Sequence, residues 1–212
     1  MVCVLTDRFR RSTNLSYKNI FLTMNQPDLL NRPRNSRMEF DQVYFWTNTI
    51  HNWKRLLTPD KHKQVIVDCW RELADRKQIA VCAFVIMLNH LHVIWEMLEP
   101  NGREMPHASF NKFTSHRMLS DLRVCHPLVL PFFKVNEKER RYRFWQRDAL
   151  AVLMDNGSKV RQKIDYIHNN PLQERWNLAT RSEDYPWSSA RFYETGKDDF
   201  GFLTHYRDRF NG

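Results

Sequence analysis

An apolar run from Val81 to Met87 leads, after Leu88-Asn89, into His90-Leu91-His92-Val93-Ile94-Trp95-Glu96. That pattern leaves the chain few ways to fold. On a strand, side chains alternate faces with period two. His90 and His92 then share one face, while Leu91 and Val93 point into a core. Gln78 to Met87 is apolar enough for a central strand, Leu88-Asn89 predicts a tight turn, and His90 to Met97 predicts the returning strand. The histidines therefore open the second arm of a hairpin. Two imidazoles on one rigid face are a ready pair of metal ligands; the bland reading is two histidines on a solvated sheet face.

The elements around this hairpin follow from pattern. Val43 to Ile50, rich in β-branched and aromatic residues, predicts a first strand. Thr58-Pro59-Asp60 opens a helix with an apolar stripe of Val65, Ile66, Cys69 and Leu73. A second helix is expected from Ser109, burying Phe110, Phe113, Met118, Leu119 and Leu122. Ala149 to Met154 predicts a short strand. Ser158 caps a third helix that ends near Asn169, because Asn170 precedes Pro171 and that position resists the α-conformation. Strands and helices mixed in this way give an α+β domain over 38–212, long enough for one real core.

Residues 1–37 differ. Arg8, Arg10, Arg11, Lys18, Arg32, Arg34 and Arg37 stand there against only Asp7 and Asp28, with no steady apolar period. A flexible basic leader is expected, with Met38 as an alternative start. Over the whole chain Lys and Arg outnumber acids by 33 to 24, and the pI is near 9.6. That excess points first to a polyanion partner, which usually means nucleic acid; a merely basic soluble protein is the alternative. Cys3, Cys69, Cys82 and Cys125 never form Cys-x-x-Cys, so neither a zinc knuckle nor a disulfide framework is expected. No Gly-rich phosphate loop, membrane-length apolar run or signal peptide is present, and a cytoplasmic protein is the expectation.

The third helix adds chemistry. Val160, Ile164 and Ile167 make its core stripe. At about 100° per residue, Lys159, Lys163, Tyr166 and Asn170 fall together on a neighbouring face. Tyr166 and Asn170 are one turn apart, so both can reach one site. A phenol attacks phosphorus when neighbours stabilise the oxyanion and a metal polarises the phosphate. Asn170 Oδ1 can ligate that metal, and Lys159 or Lys163 can neutralise a phosphate. The bland readings are an amphipathic tyrosine at a helix edge, an asparagine at a helix end and two solvated lysines. His168 lies about 200° from Tyr166 and is expected to be structural. Phe144-Trp145-Gln146-Arg147 interleaves aromatic and basic groups. Its Trp145, Gln146 and Arg147 are candidates to stack on unpaired bases, against a buried Trp145 with Arg147 paired to Asp148.

Four blocks in order carry a resemblance: Phe84-Val-Ile-Met-Leu-Asn-His-Leu-His92, Phe144-Trp-Gln-Arg147, Tyr166-Ile-His-Asn-Asn-Pro-Leu172 and Glu183-Asp-Tyr-Pro-Trp-Ser-Ser-Ala190. Over about 38–206 the chain resembles the HUH endonucleases, and more narrowly the single-tyrosine transposases of the smallest insertion sequences, of the REP-associated tyrosine type. The resemblance implies a ferredoxin-like or RRM-like antiparallel sheet with helices packed mainly on one face. It implies a Mg²⁺ or Mn²⁺ ion held by His90, His92 and Asn170. It implies attack by Tyr166 on single-stranded DNA, giving a 5′-phosphotyrosine and a free 3′-hydroxyl, and hairpin-forming DNA as the partner of a monomer or homodimer. In that pattern a proline usually stands where this chain has Leu88, and the substitution predicts a looser turn.

Two other readings compete with a DNA nicking and joining enzyme. One is a non-catalytic protein that only binds single strands or hairpins, as a domesticated transposase would. The other is a metal-dependent phosphohydrolase acting on small nucleotides, which has no use for a tyrosine nucleophile.

Overall fold

Alternation decides the first strand. In β1 (Val43–Thr49), Tyr44 and Trp46 pack on one side of the sheet, and Val43 and Phe45 on the other. The computed structural model describes residues 38–138, 140–147 and 149–210, so the basic leader expected over 1–37 lies outside them. After β1 come α1 (Asp60–Asp75), β2 (Ile79–Ile86), β3 (His90–Met97) and α2 (Pro106–Cys125). A separate two-stranded ribbon follows, β4 (Lys134–Glu137) with β5 (Arg140–Tyr142). Next come β6 (Leu150–Leu153), α3 (Gly157–Asn169) and the short α4 (Ala190–Thr195).

The main sheet has the order β2-β3-β1-β6, with every neighbouring pair antiparallel. With α1 between β1 and β2, and α2 between β3 and β6, this is the β-α-β-β-α-β arrangement of ferredoxin-like folds. The expected α+β fold is what is observed. Helices α1 and α2 share one face of the sheet, and α3 lies on the other.

The α1/α2 face is an aromatic core. Trp46 stacks on Trp95 with centroids 4.8 Å apart, Phe110 stands edge-on to Trp46, and Trp70 stacks on Phe110. All four are essentially inaccessible. Truncating any one to alanine is expected to cost about 3–5 kcal/mol. The other face is thinner, with Val43, Phe45, Val85 and Ile94 meeting Val160, Ile164 and Ile167 of α3. The outer edge of β2 is closed by the C-terminal segment, through Ile86 N–H to Trp187 O, Ser189 N–H to Phe84 O and Thr204 N–H to Val81 O. Covered on both faces and along its edge, β2 has no solvent side, which is why its sequence is continuously apolar. Trp187 and Tyr185 serve this packing: the Trp187 indole donates to Asp60 Oδ1, and the Tyr185 hydroxyl donates to Ile86 O.

Several local expectations shift. Helix α2 begins three residues before Ser109, at Pro106, which suits a first helical position. Phe113 is exposed rather than buried; Phe110, Thr114, Met118 and Leu122 form the inner face. Thr58 donates its hydroxyl to Arg55 O instead of capping α1. Asn156, not Ser158, caps α3, accepting from the Lys159 N–H. Asn170 keeps α-region dihedrals (φ −59°, ψ −45°) in front of Pro171, because the helix runs on into a 3-10 turn, Asn170–Leu172.

Candidate active site

The period of β3 places His90 and His92 on the α3 face, with ring centroids 4.8 Å apart and planes at 74°. Both are almost fully buried. The turn before them is held by three backbone bonds. Ile50 N–H bonds Asn89 O (2.8 Å), Leu57 N–H bonds Leu88 O (3.0 Å) and Met87 N–H bonds His90 O (2.8 Å). Ile50 and Leu57 thus each bond a carbonyl of the turn.

A chain of hydrogen bonds sets the His90 tautomer. Trp53 O can only accept, so the Asn89 Nδ2 that lies 3.0 Å from it is the donor. Asn89 Oδ1 then faces His90 Nδ1 at 2.7 Å and must accept from it. His90 Nδ1 carries the proton, and Nε2 keeps a free lone pair. His92 Nδ1 lies 2.8 Å from Thr47 Oγ1, in the register that pairs Thr47 with His92 across β1 and β3. His92 Nε2 is buried with no hydrogen-bond partner.

Helix α3 brings Tyr166 to this pair. Its ring is 5.3 Å from the His92 ring and 6.1 Å from that of Phe45, edge to face with both. The residue remains 42% exposed. Lys163 Nζ lies 4.9 Å from the Phe45 centroid and 5.4 Å from that of Tyr166. Asn170, one turn beyond Tyr166, is fully buried, and both its Oδ1 and Nδ2 lack any partner. Leaving such a group unmet costs about 1–3 kcal/mol.

The electrostatics suit lone-pair donors. Burial, and then the Arg175 charge, pushes the His90 pKa down to about 3. Burial, followed by the charges of His90, Lys163 and Arg175, holds His92 well below the ordinary histidine value. Both imidazoles are therefore neutral at pH 7. Two neutral Nε2 atoms and an unpartnered amide are a donor set that fits a divalent cation with open positions left over. Among the described residues no group of three or more His, Cys, Asp or Glu gathers as a metal centre. A cation here would depend on Asn170 as its third protein ligand.

The other sequence candidates divide. Lys163 is at the site. Lys159 is two turns before Tyr166 on the helix and pairs with Asp155 at 2.6 Å. Trp145 is a correction: it is buried, packs on Phe110 and donates its indole N–H to Thr114 Oγ1 at 2.8 Å, so it presents no face to a base. Gln146 is half-buried, and its N–H bonds Thr49 O beside the start of β3. Arg147 is exposed and pairs with Glu137 at 3.1 Å; Asp148, its expected partner, lies outside the described residues. His168 is structural as expected, with Nε2 2.9 Å from Ser189 Oγ.

Sequence reasoning missed Thr47, the orienting role of Asn89, and Trp53, Trp176 and Arg175. Thr47 carried a signal, being a polar residue on the same strand face as Phe45. The others needed the pairing of distant segments: Trp53 and Trp176 come within 6.5 Å and 5.6 Å of His90 from loops far apart in the chain.

No protein-family model matches this chain, and no curated protein matches its sequence. Among solved structures, that of a REP-associated tyrosine transposase bound to a REP hairpin is similar, with a TM-score of 0.54 and 17% identity over 82% of this chain and 92% of that one. At that identity the likeness is one of fold: this chain shares the architecture of that transposase.

Proposed function

We propose that this chain cuts and rejoins single-stranded DNA through a covalent bond to Tyr166. The observation that carries the reading is a partly exposed Tyr166 held edge to face on His92, one of a neutral, buried imidazole pair, with the unpartnered Asn170 amide one turn further along the helix. The shared fold with a transposase bound to a DNA hairpin supports it, as does the excess of Lys and Arg over acids.

The residues divide the work as follows. Tyr166 Oη attacks the phosphorus, its proton passing to solvent. The bond from phosphorus to the 3′-oxygen breaks, leaving a 5′-phosphotyrosine and a free 3′-hydroxyl. Attack by a 3′-hydroxyl on that phosphotyrosine rejoins the strand and restores the phenol. One diester is exchanged for another, so no nucleotide cofactor is consumed. Lys163 sets a positive charge beside the Tyr166 ring, where the attacking oxygen and the phosphate carry negative charge. Thr47 and Asn89 orient His92 and His90. A Mg²⁺ or Mn²⁺ ion held by His90, His92 and Asn170 would supply Lewis acidity at a phosphate oxygen.

The test is a denaturing gel. The protein is incubated with Mn²⁺ and a pool of 3′-labelled single-stranded oligonucleotides that carry a hairpin and randomised flanks. A labelled protein adduct is expected, and it should vanish in Tyr166→Phe. An adduct that survives in the variant removes Tyr166 as nucleophile. Tight hairpin binding with no adduct under any divalent ion favours the non-catalytic, hairpin-binding reading instead.

A further inference from the structure

Three side chains near His90 take no part in the covalent step above. Trp176 stands 5.6 Å from the His90 ring, centroid to centroid. Two guanidinium groups lie over its indole, that of Arg175 at 5.4 Å and that of Arg55 at 6.0 Å. They arrive from different directions in the chain. Arg175 follows α3, and Arg55 belongs to the 50–57 segment that clamps the hairpin turn. In that segment Asn52 and Trp53 both hold φ at 56°, a conformation that bulky side chains rarely take. The bond from Asn89 Nδ2 to Trp53 O ties it to His90.

The charges around Trp176 are uncompensated. Among the described residues neither Arg55 nor Arg175 is paired with a carboxylate. Arg175 Nε donates to Gln173 Oε1 at 3.0 Å, which leaves its terminal nitrogens open. The Trp176 indole N–H is itself buried without an acceptor. Two like charges gathered on one ring repel unless an anion lies between or beside them. A guanidinium held over an indole by cation–π attraction keeps its N–H edges for a phosphate. Ring contacts run without a break from Tyr166 to His92, to His90 and to Trp176, with centroid steps of 5.3, 4.8 and 5.6 Å. A strand whose scissile phosphate sits at Tyr166 has further phosphates within reach of the other end of that series.

We infer that Arg55, Trp176 and Arg175 form a backbone clamp that holds a second phosphate of single-stranded DNA, distinct from the one Tyr166 attacks. This rests on the DNA-cutting reading for its substrate, and not on the covalent step. Arg55 and Arg175 are the binding groups, and Trp176 positions them. Because the contacts are to phosphate, the clamp grips any sequence and sets where the strand lies, while selectivity arises elsewhere.

The experiment is fluorescence anisotropy with a short oligothymidylate, in EDTA so that no chemistry occurs, across a salt series. Wild type, Arg55→Gln, Arg175→Gln and Arg175→Lys are compared after their thermal midpoints have been matched. Each Gln variant is expected to bind roughly tenfold more weakly, with a log–log salt slope shallower by about 0.7. Arg175→Lys should keep the slope and lose affinity, because it retains charge without the guanidinium N–H edge. Unchanged affinity and slope in both folded Gln variants overturns the clamp; if the adduct still forms in wild type, the DNA-cutting reading stands alone. Shallower slopes with no wild-type adduct leave the clamp standing and remove the covalent reading. Should a Gln variant unfold, Arg175→Lys decides: affinity equal to wild type sinks the clamp, and a loss at constant slope supports it.

Discussion

The rings of Tyr166 and His92 stand edge to face, with 5.3 Å between centroids and 65° between planes. The contact is made by the ring, the residue is 42% exposed, and among the described residues its hydroxyl makes no hydrogen bond that holds the fold. Tyr166→Phe is therefore expected to leave stability within about 0.5 kcal/mol of wild type, while removing any covalent chemistry. Urea unfolding measures the first part. A loss of several kcal/mol would mean that the hydroxyl is structural, and would weaken its assignment as a nucleophile.

Asn89 spans two groups, donating to Trp53 O and accepting from His90 Nδ1. Its replacement by alanine leaves the His90 N–H buried and unmet, at an expected cost of about 1–3 kcal/mol. Loss of such an orienting partner typically weakens metal affinity about 10–100-fold. Asn89→Asp keeps the acceptor toward His90 and loses only the donor toward Trp53, so it should retain more Mn²⁺ affinity than Asn89→Ala. Calorimetric titration of both variants compares them; equal losses would show that the hydrogen bond to His90 does not orient a ligand.

The donor set and its surroundings pull in opposite directions. Two neutral imidazoles and an amide carry no negative charge, and Lys163 and Arg175 add positive charge close by. A lone divalent cation is disfavoured there, and one that arrives with a phosphate is not. Mn²⁺ is expected to bind the free protein weakly and the protein with bound oligonucleotide more tightly, and the oligonucleotide should gain by the same factor from Mn²⁺. Lys163→Gln should raise affinity for Mn²⁺ in the absence of DNA. Titrations in both orders check this, and affinities that do not depend on each other would contradict it.

The strands and the histidine pair were legible because each depends on local pattern alone. Period-two alternation in β3 gives His90 and His92 one face whatever else the chain does. Helical spacing likewise puts Tyr166 and Asn170 on one side of α3. Trp145 misled because an interleaved basic and aromatic run looks the same on a surface and at the root of a ribbon. Its fate was decided by Thr114 and Phe110, some thirty residues earlier in the chain. Trp176 and Arg55 could not be read at all. Their meeting beside His90 depends on loop paths that no period encodes.

Three buried histidines give the protein a pH-dependent stability with a definite sign. Burial lowers His168 to about 4 and His90 to about 3, and His92 lies well below its ordinary value. In the unfolded chain all three return to about 6.5. Below that value the unfolded state takes up protons that the native state refuses, so stability falls as pH falls. The full contribution is present above about pH 6.5 and drains away down to about pH 4 for His168 and about pH 3 for His90. At pH 5 His90 and His168 each account for about 2 kcal/mol. Urea midpoints measured in EDTA should therefore drop steeply between pH 7 and pH 5. Replacing His168 with Gln keeps a hydrogen-bonding amide beside Ser189 and removes one titrating group, so the drop should become shallower by about one proton's worth of slope. Because His168 does not belong to the proposed ligand set, that change should be the same with and without Mn²⁺. A midpoint that is flat or rises on acidification would show that these imidazoles are not held neutral in the native state, and the lone pairs assigned to a cation would be lost with them.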